Sequence, residues 1–428
     1  MKGVLILLAL VTPAIAQESA TTRQGPGTYV GVGSCATSGC HGAIHPLRTS
    51  RVLHNEYYTW LSNDRHAQAY NVLFNDRSVH IARNMRRLER KPYQEAICLG
   101  CHSTNVPPHL VSGHIDAEDG VQCESCHGPA GGWRAEHVRP DWTHAQSVER
   151  GMIDLRRLPT RATVCLSCHM GDATRKVDHQ LIASGHPFLA FELDNYTATM
   201  PLHWRSNETD GARAWAVGQV IAFRDSLGNL ARHARGGRWP EFSDLSCVNC
   251  HHALSEGSWH QPRGWPERAG LPAWSPQRWG VLRLIVSRAA PQSRPSLEEA
   301  VQRVAALVGR MNDPAGVAEA ADQARTLLDP IVSPVESLRW NERDIRAFMR
   351  ALADEQEFVR RSDVHSAEQI ALTLQSLAAV LTRHDPRLLR SAMMKSIDDL
   401  FAELQHRDAY DANRFAAGLQ AVKRAVNE

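Results

Sequence analysis

The 428-residue chain has no surplus of either charge, with 48 Lys and Arg against 46 Asp and Glu. A formal net charge of +2 offers no basic surface for nucleic-acid phosphates, and so even a split is unlike an acidic disordered chain. Beyond its first residues the sequence lacks any apolar run approaching the about 18–20 residues that cross a bilayer as a helix, so no permanent membrane span is expected. No strand-rich region appears, which points to a mainly α fold. Of the ten cysteines, none falls outside a repeated motif. At 43% hydrophobic residues there is still ample material for two or three domains, each with a core.

The apolar stretch at the start has the order of an export signal. Lys2 precedes the run Val4 to Val11, and Ala14-Ile15-Ala16 supplies small residues for cleavage after Ala16. Residues 1–16 are therefore expected to be a signal peptide and the mature chain to be periplasmic or otherwise exported. That compartment is oxidising, where ten cysteines would ordinarily mean disulfides.

The spacings exclude disulfides. Cys98 and Cys101 with His102, Cys123 and Cys126 with His127, Cys165 and Cys168 with His169, and Cys247 and Cys250 with His251 are four copies of C-x-x-C-H. Cys35, Cys40 and His41 form a fifth copy with two extra residues between the sulfurs. Cysteines three apart lie on one side of a helical turn, so both sulfurs reach the two vinyl groups of one porphyrin. The next residue, His, is then carried beneath the ring as a ligand to the iron. The longer motif widens only the loop back to its first sulfur, and Ser38-Gly39 makes that loop pliant. Zinc sites built of four thiolates need such motifs in pairs and have no use for a His after every second Cys; thioredoxin-like motifs do not come in fives. The motifs predict five covalently attached haems c.

Seventeen of the 22 histidines remain, fourteen of them between His45 and His260 and three beyond, at His365, His384 and His406. This gradient locates the haem domain and supplies candidates for the second axial position. His66 lies in a helix-like run from Trp60 to Tyr70. His137 follows the third motif across a Gly128-Pro129-Ala130-Gly131-Gly132 turn, and His179 and His186 frame a segment bent by Gly185 and Pro187. His252 follows a motif His directly, so it would have to serve a neighbouring haem; His54 and His114 are reserves. Arg83, Arg86, Arg87, Arg161 and Arg175 are candidates for pairing with haem propionates.

These segments together resemble multihaem cytochromes of the cytochrome c-554 / c-prime family, exported bacterial electron carriers. The resemblance rests on Tyr29-Val30-Gly31-Val32-Gly33-Ser34-Cys35, Asp64-Arg65-His66-Ala67-Gln68-Ala69-Tyr70, and Gly120-Val121-Gln122-Cys123-Glu124-Ser125-Cys126-His127-Gly128-Pro129-Ala130. It continues through Val177-Asp178-His179 to Gly185-His186-Pro187, Trp239-Pro240-Glu241-Phe242, and Cys250-His251-His252, covering roughly residues 29–262. It implies His66, His137, His179 and His186 as distal ligands. The fifth motif and a long C-terminal extension depart from the tetrahaem members.

Residues 17–262 are thus expected to form a pentahaem cytochrome c domain with long loops around stacked haems. The stretch 263–295, rich in Pro, Trp and Arg, reads as a connector, and 296–428 as a haem-free helical bundle. Ser296 with Glu299 and Ser366 with Gln369 have capping-box spacing, and Asn341 can cap a helix carrying Ile345, Phe348, Met349 and Leu352. Two further helical segments fall at about 388–405 and 411–426. The bundle either stabilises the haem domain or serves as a module for partner docking or homo-oligomer formation. The expected function is electron transfer between redox partner proteins. The alternative is a haem oxidoreductase acting on nitrite or hydroxylamine at one haem with an open position; the absence of a C-x-x-C-K motif counts against the common nitrite reductase arrangement.

Overall fold

The computed structural model describes residues 27–50, 52–86, 91–204, 211–237, 239–252, 272–405 and 410–427. Residues 1–16, expected as the signal peptide, and Arg87, His260 and His406 lie outside them. The described chain is mainly α. Two isolated bridges, Tyr29 with Val111 and Leu245 with Trp274, are the only β pairing among these residues, and no described helix is long and apolar enough to cross a membrane.

The first part of the chain is built of short helices separated by loops: α1 (Glu56–Asn63), α2 (Asp76–Asn84), α3 (Ala96–His102), α4 (Cys123–His127), α5 (His144–Glu149), α6 (Leu158–His169), α7 (His179–Ala183) and α8 (Leu193–Thr199). The second, third and fourth motifs each occupy the last turn of a helix, α3, α4 and α6, which ends on the motif His. The fifth begins as a 3-10 turn, Cys247–Asn249. The first has no helix; its longer loop is closed by Cys40 N–H and Gly42 N–H donating to Thr37 O, and by His41 N–H donating to Cys35 O.

Two glycines in the resemblance segments have a steric reason. Gly31 has φ +82°, and a Cβ there would stand 1.7 Å from His114 O. Gly120 has φ +68°, and its Cβ would stand 2.6 Å from His66 O. Only a residue without a side chain lets these strands of backbone approach so closely.

The second part is a larger helical assembly: α9 (Gly211–Arg235), α10 (Trp279–Ala289), α11 (Arg294–Arg310), α12 (Pro314–Thr326), α13 (Asp329–Glu336), α14 (Glu342–Ala353), α15 (Gln356–Arg361), α16 (Val364–His384), α17 (Ala392–Leu404) and α18 (Ala412–Ala425). At its centre is α9, which packs on α6, α8, α10, α12, α13 and α16. Ala212, Trp215, Ala216, Val217, Val220, Ile221, Phe223, Leu227 and Leu230 are all buried. The first half of α9 is buried almost all round and belongs inside, while Arg224, Asp225, Asn229 and Arg232 give the second half a polar side.

One hydrophobic core runs from Leu158 to Val426, so α6, the helix that ends in the fourth motif, contributes Leu158, Ala162 and Leu166 to the same core as the bundle. In place of an open connector over 263–295, the described part contains α10, whose Trp279, Val281, Leu282, Ile285 and Val286 are fully buried. Asn341 caps α14 through Asp344 N–H, as its position implies. The two capping boxes do not form. Helix α11 starts earlier, and the Ser296 hydroxyl donates back to Ser293 O. In α16 the cap is Asp363, which accepts from Ser366 N–H, so Ser366 is already inside the helix. Met311 lies beyond α11 in a left-handed conformation, φ 58°, while Val301, Val304, Ala305 and Val308 are buried.

Candidate functional site: five histidine pairs

The motif histidines are brought opposite other histidines, one for each motif. His41 faces His137 with ring centroids 6.2 Å apart, His102 faces His186 at 6.5 Å, and His127 faces His203 at 6.3 Å. His169 faces His66 at 6.2 Å, and His251 faces His179 at 6.4 Å. These gaps are too wide for ring contact. A metal–imidazole bond is about 2.0–2.1 Å, so two of them plus two half-rings separate the centroids by roughly 6.3 Å.

His66, His137, His179 and His186 thus stand where the family likeness implies distal ligands. His203 was not among the candidates. It sits between Pro201 and Trp204, with no helix, turn or repeated spacing to mark it, and it meets His127 only through the tertiary fold. Another ring stands opposite each motif histidine, so His252 has no place in this set. The reserve His54 also lies 6.2 Å from His41. Glu56, however, holds His41 Nδ1 through one oxygen and the backbone N–H groups of Leu53 and His54 through the other. The His54 backbone N–H therefore lies beside the Nδ1 partner of His41, and the His54 Nδ1 stands 2.5 Å from Cys40 O.

The paired rings are aimed by what their Nδ1 atoms meet. His41 Nδ1 donates to Glu56 at 3.0 Å, His66 Nδ1 to Asp64 at 2.9 Å, and His102 Nδ1 to Ala69 O at 2.8 Å. His137 Nδ1 donates to Arg134 O at 2.6 Å and His186 Nδ1 to Pro187 O at 2.9 Å. A proton held on Nδ1 leaves the Nε2 lone pair for a metal and fixes the ring's orientation. Burial pushes His127 and His169 down to about 4, which keeps both rings in the neutral, ligating form.

The segments quoted for the resemblance turn out to be supports for these rings. Glu124, inside the third motif and 2% exposed, accepts from Val30 N–H at 3.0 Å, Gly31 N–H at 2.8 Å and Ala130 N–H at 2.8 Å. It ties the segment leading to Cys35 to the turn leading to His137. Val121 N–H donates to His66 O, and the Trp60 indole N–H donates to Val121 O, so the strand before the third motif also holds His66. Glu241 accepts from His179 N–H at 2.8 Å, and the Phe242 ring meets the His179 ring edge-on. Arg175 is committed to Asp172 and Gly100 O and so braces the second motif.

Glu56 also sets the electronic character of its ligand. Burial pushes its carboxyl up, but the hydrogen bonds from His41 and backbone N–H groups outweigh this and hold it below the usual carboxylate range. An ionised carboxylate on Nδ1–H makes the imidazole a stronger donor and favours the ferric state. Glu56→Gln is therefore expected to raise the midpoint potential of one haem by up to about 59 mV, the equivalent of a tenfold change in a one-electron equilibrium. A redox titration in which no component moves to higher potential rules this out.

The donor set fits haem c and not a protein-only metal site. No group of three or more metal-ligating side chains occurs among the described residues. Histidines that face each other in pairs suit a metal whose other four positions a macrocycle fills. All ten cysteines are free thiols, two beside each motif His, available for thioether attachment. Three buried polar side chains adjoin these sites without a hydrogen-bond partner in the protein: Gln122 before Cys123, Ser246 before Cys247, and the Trp133 indole N–H edge-on to His137. Unmet buried donors cost about 1–3 kcal/mol each, and a bound haem with its carboxylates supplies acceptors.

No curated protein and no solved structure matches the chain. Residues 35–128, which hold the first three motifs, match the family described as cytochrome c554 and c-prime, so this part of the chain is similar to haem c proteins of electron transfer.

Proposed function

We propose that this protein is an exported pentahaem cytochrome that carries electrons between redox partner proteins, with every haem held by two histidines. The observation that carries this reading is the set of five ring pairs at 6.2–6.5 Å, one per motif. Haem supplies reversible one-electron chemistry. The chain's part is to close both axial faces, which leaves no position for a substrate, and to set each ligand's basicity through its Nδ1 partner. The order of the sites supports a relay. Cys35 of the first motif lies within electrostatic reach of Cys123 of the third, and Cys126 of the third within reach of Cys165 and Cys168 of the fourth. Cys168 in turn lies within the same reach of Cys101 of the second.

Intact mass and spin state test the proposal. The exported protein is expected to begin at Gln17, to carry five haem additions, and to be wholly low-spin when ferric. Fewer additions would leave a motif empty. A high-spin fraction near one haem in five that binds nitrite, hydroxylamine or carbon monoxide would support the oxidoreductase alternative instead.

A further inference from the structure

His365 is one of three histidines far beyond the motif-bearing sequence, yet the fold returns it to the fifth motif. It sits in the first turn of α16, 4% exposed, and its Nε2 is 3.4 Å from Cys247 Sγ. Its Nδ1 is 3.1 Å from Glu368 Oε2, one turn further along the helix. The Phe188 ring, two residues after His186, stacks on it at 3.6 Å. Asp363 anchors the turn by accepting from Ser366 N–H and from the Ser275 hydroxyl.

We propose that His365 is a positioning residue that sets the potential of the fifth haem from the C-terminal helices, by presenting the positive end of a buried imidazolium–carboxylate pair to the Cys247 tether. This rests on the reading of Cys247 as a haem attachment. Once attached, the sulfur is a thioether and can only accept. An ionised Glu368 also only accepts. Both ring nitrogens of His365 therefore face acceptors, and the ring satisfies them as a cation. Glu368 sits on the far side of the ring from the sulfur, so the nearer charge at the haem is positive. In a buried site such a charge is weakly screened and favours the added electron.

The experiment is a spectroelectrochemical titration of the full, haem-loaded protein. With His365→Gln, one of five components is expected to move to lower potential by about 59 mV, a tenfold change in that couple, while four stay in place. Glu368→Gln keeps the ring but removes its counter-ion. A buried ring then sheds its proton, and the same component moves the same way. Should His365→Gln not accumulate, Glu368→Gln carries the test. Five unchanged components in a folded variant overturn the proposal, since a packing residue would leave potentials alone. New high-spin signal also overturns it, because His365 would then be an axial ligand. Intact mass separates the two levels. Five haems with unmoved potentials sink only the role of His365, whereas four haems with the fifth motif empty sink the reading beneath it.

Discussion

Replacing His203 with Ala is expected to convert one haem in five to high spin and to make that haem bind carbon monoxide when reduced. His203 faces His127 at 6.3 Å with the ring planes 79° apart. No other histidine ring stands opposite His127 at that distance among the described residues. Loss of the imidazole therefore leaves one face of that site without a protein ligand. The parallel variant His252→Ala is expected to keep the parent spectrum. Ring orientation sharpens the result. The pairs of His102, His127 and His169 cross at 81°, 79° and 88°, whereas His41 and His137 are within 8° of parallel. Crossed imidazoles leave the iron d orbitals nearly degenerate and give strongly anisotropic low-spin paramagnetic signals, and parallel ones give rhombic signals. His203→Ala should remove one of the three anisotropic signals and spare the rhombic one. An unchanged low-spin spectrum, or a high-spin signal in the His252 variant, would reverse the assignment.

Glu124→Ala is expected to destabilise the protein by about 3–5 kcal/mol, as loss of a buried charged hydrogen-bonding partner does. The carboxylate collects N–H groups from Val30, Gly31 and Ala130, and no solvent reaches it. Alanine leaves these donors facing a cavity. Glutamine keeps the shape but turns one acceptor into a donor that opposes an N–H, so an intermediate loss is expected. Because the same carboxylate joins the segment before Cys35 to the turn before His137, the first haem pair should loosen with it. Denaturant unfolding followed by haem absorbance measures the effect as a lower midpoint at constant slope. A change within about 0.5 kcal/mol, the range of an ordinary surface substitution, would refute the structural role.

Part of the fold was legible because its signals are local. Asn341 caps a helix three residues before its first bonded N–H, and the apolar residues of α14 and α16 recur at helical spacing, so both helices can be read from neighbours in sequence. Helix α9 shows no such stripe. Its first half is buried almost all round because neighbours surround it, and a one-sided pattern is what periodicity detects. Helix α10 was hidden by the Pro, Trp and Arg around it, although its own residues Trp279 to Val286 are core. The false capping boxes have the right spacing, but each helix starts earlier: Asp363 caps α16, and α11 begins at Arg294 with Pro295 in its first turn.

The candidate site divides in the same way. Sequence alone marked the ten cysteines and five motif histidines, because porphyrin attachment asks for two sulfurs and a following His close together in the chain, and that constraint is written in nearly consecutive residues. It also marked four of the opposite histidines through the segments around them. The partner of His127 could come only from the tertiary structure. An axial ligand needs one imidazole at one distance, and any residue the fold can deliver there will serve, so nothing near His203 has to announce it. The same holds for His365, whose meaning lies in a contact with Cys247 that more than a hundred intervening residues fold to create.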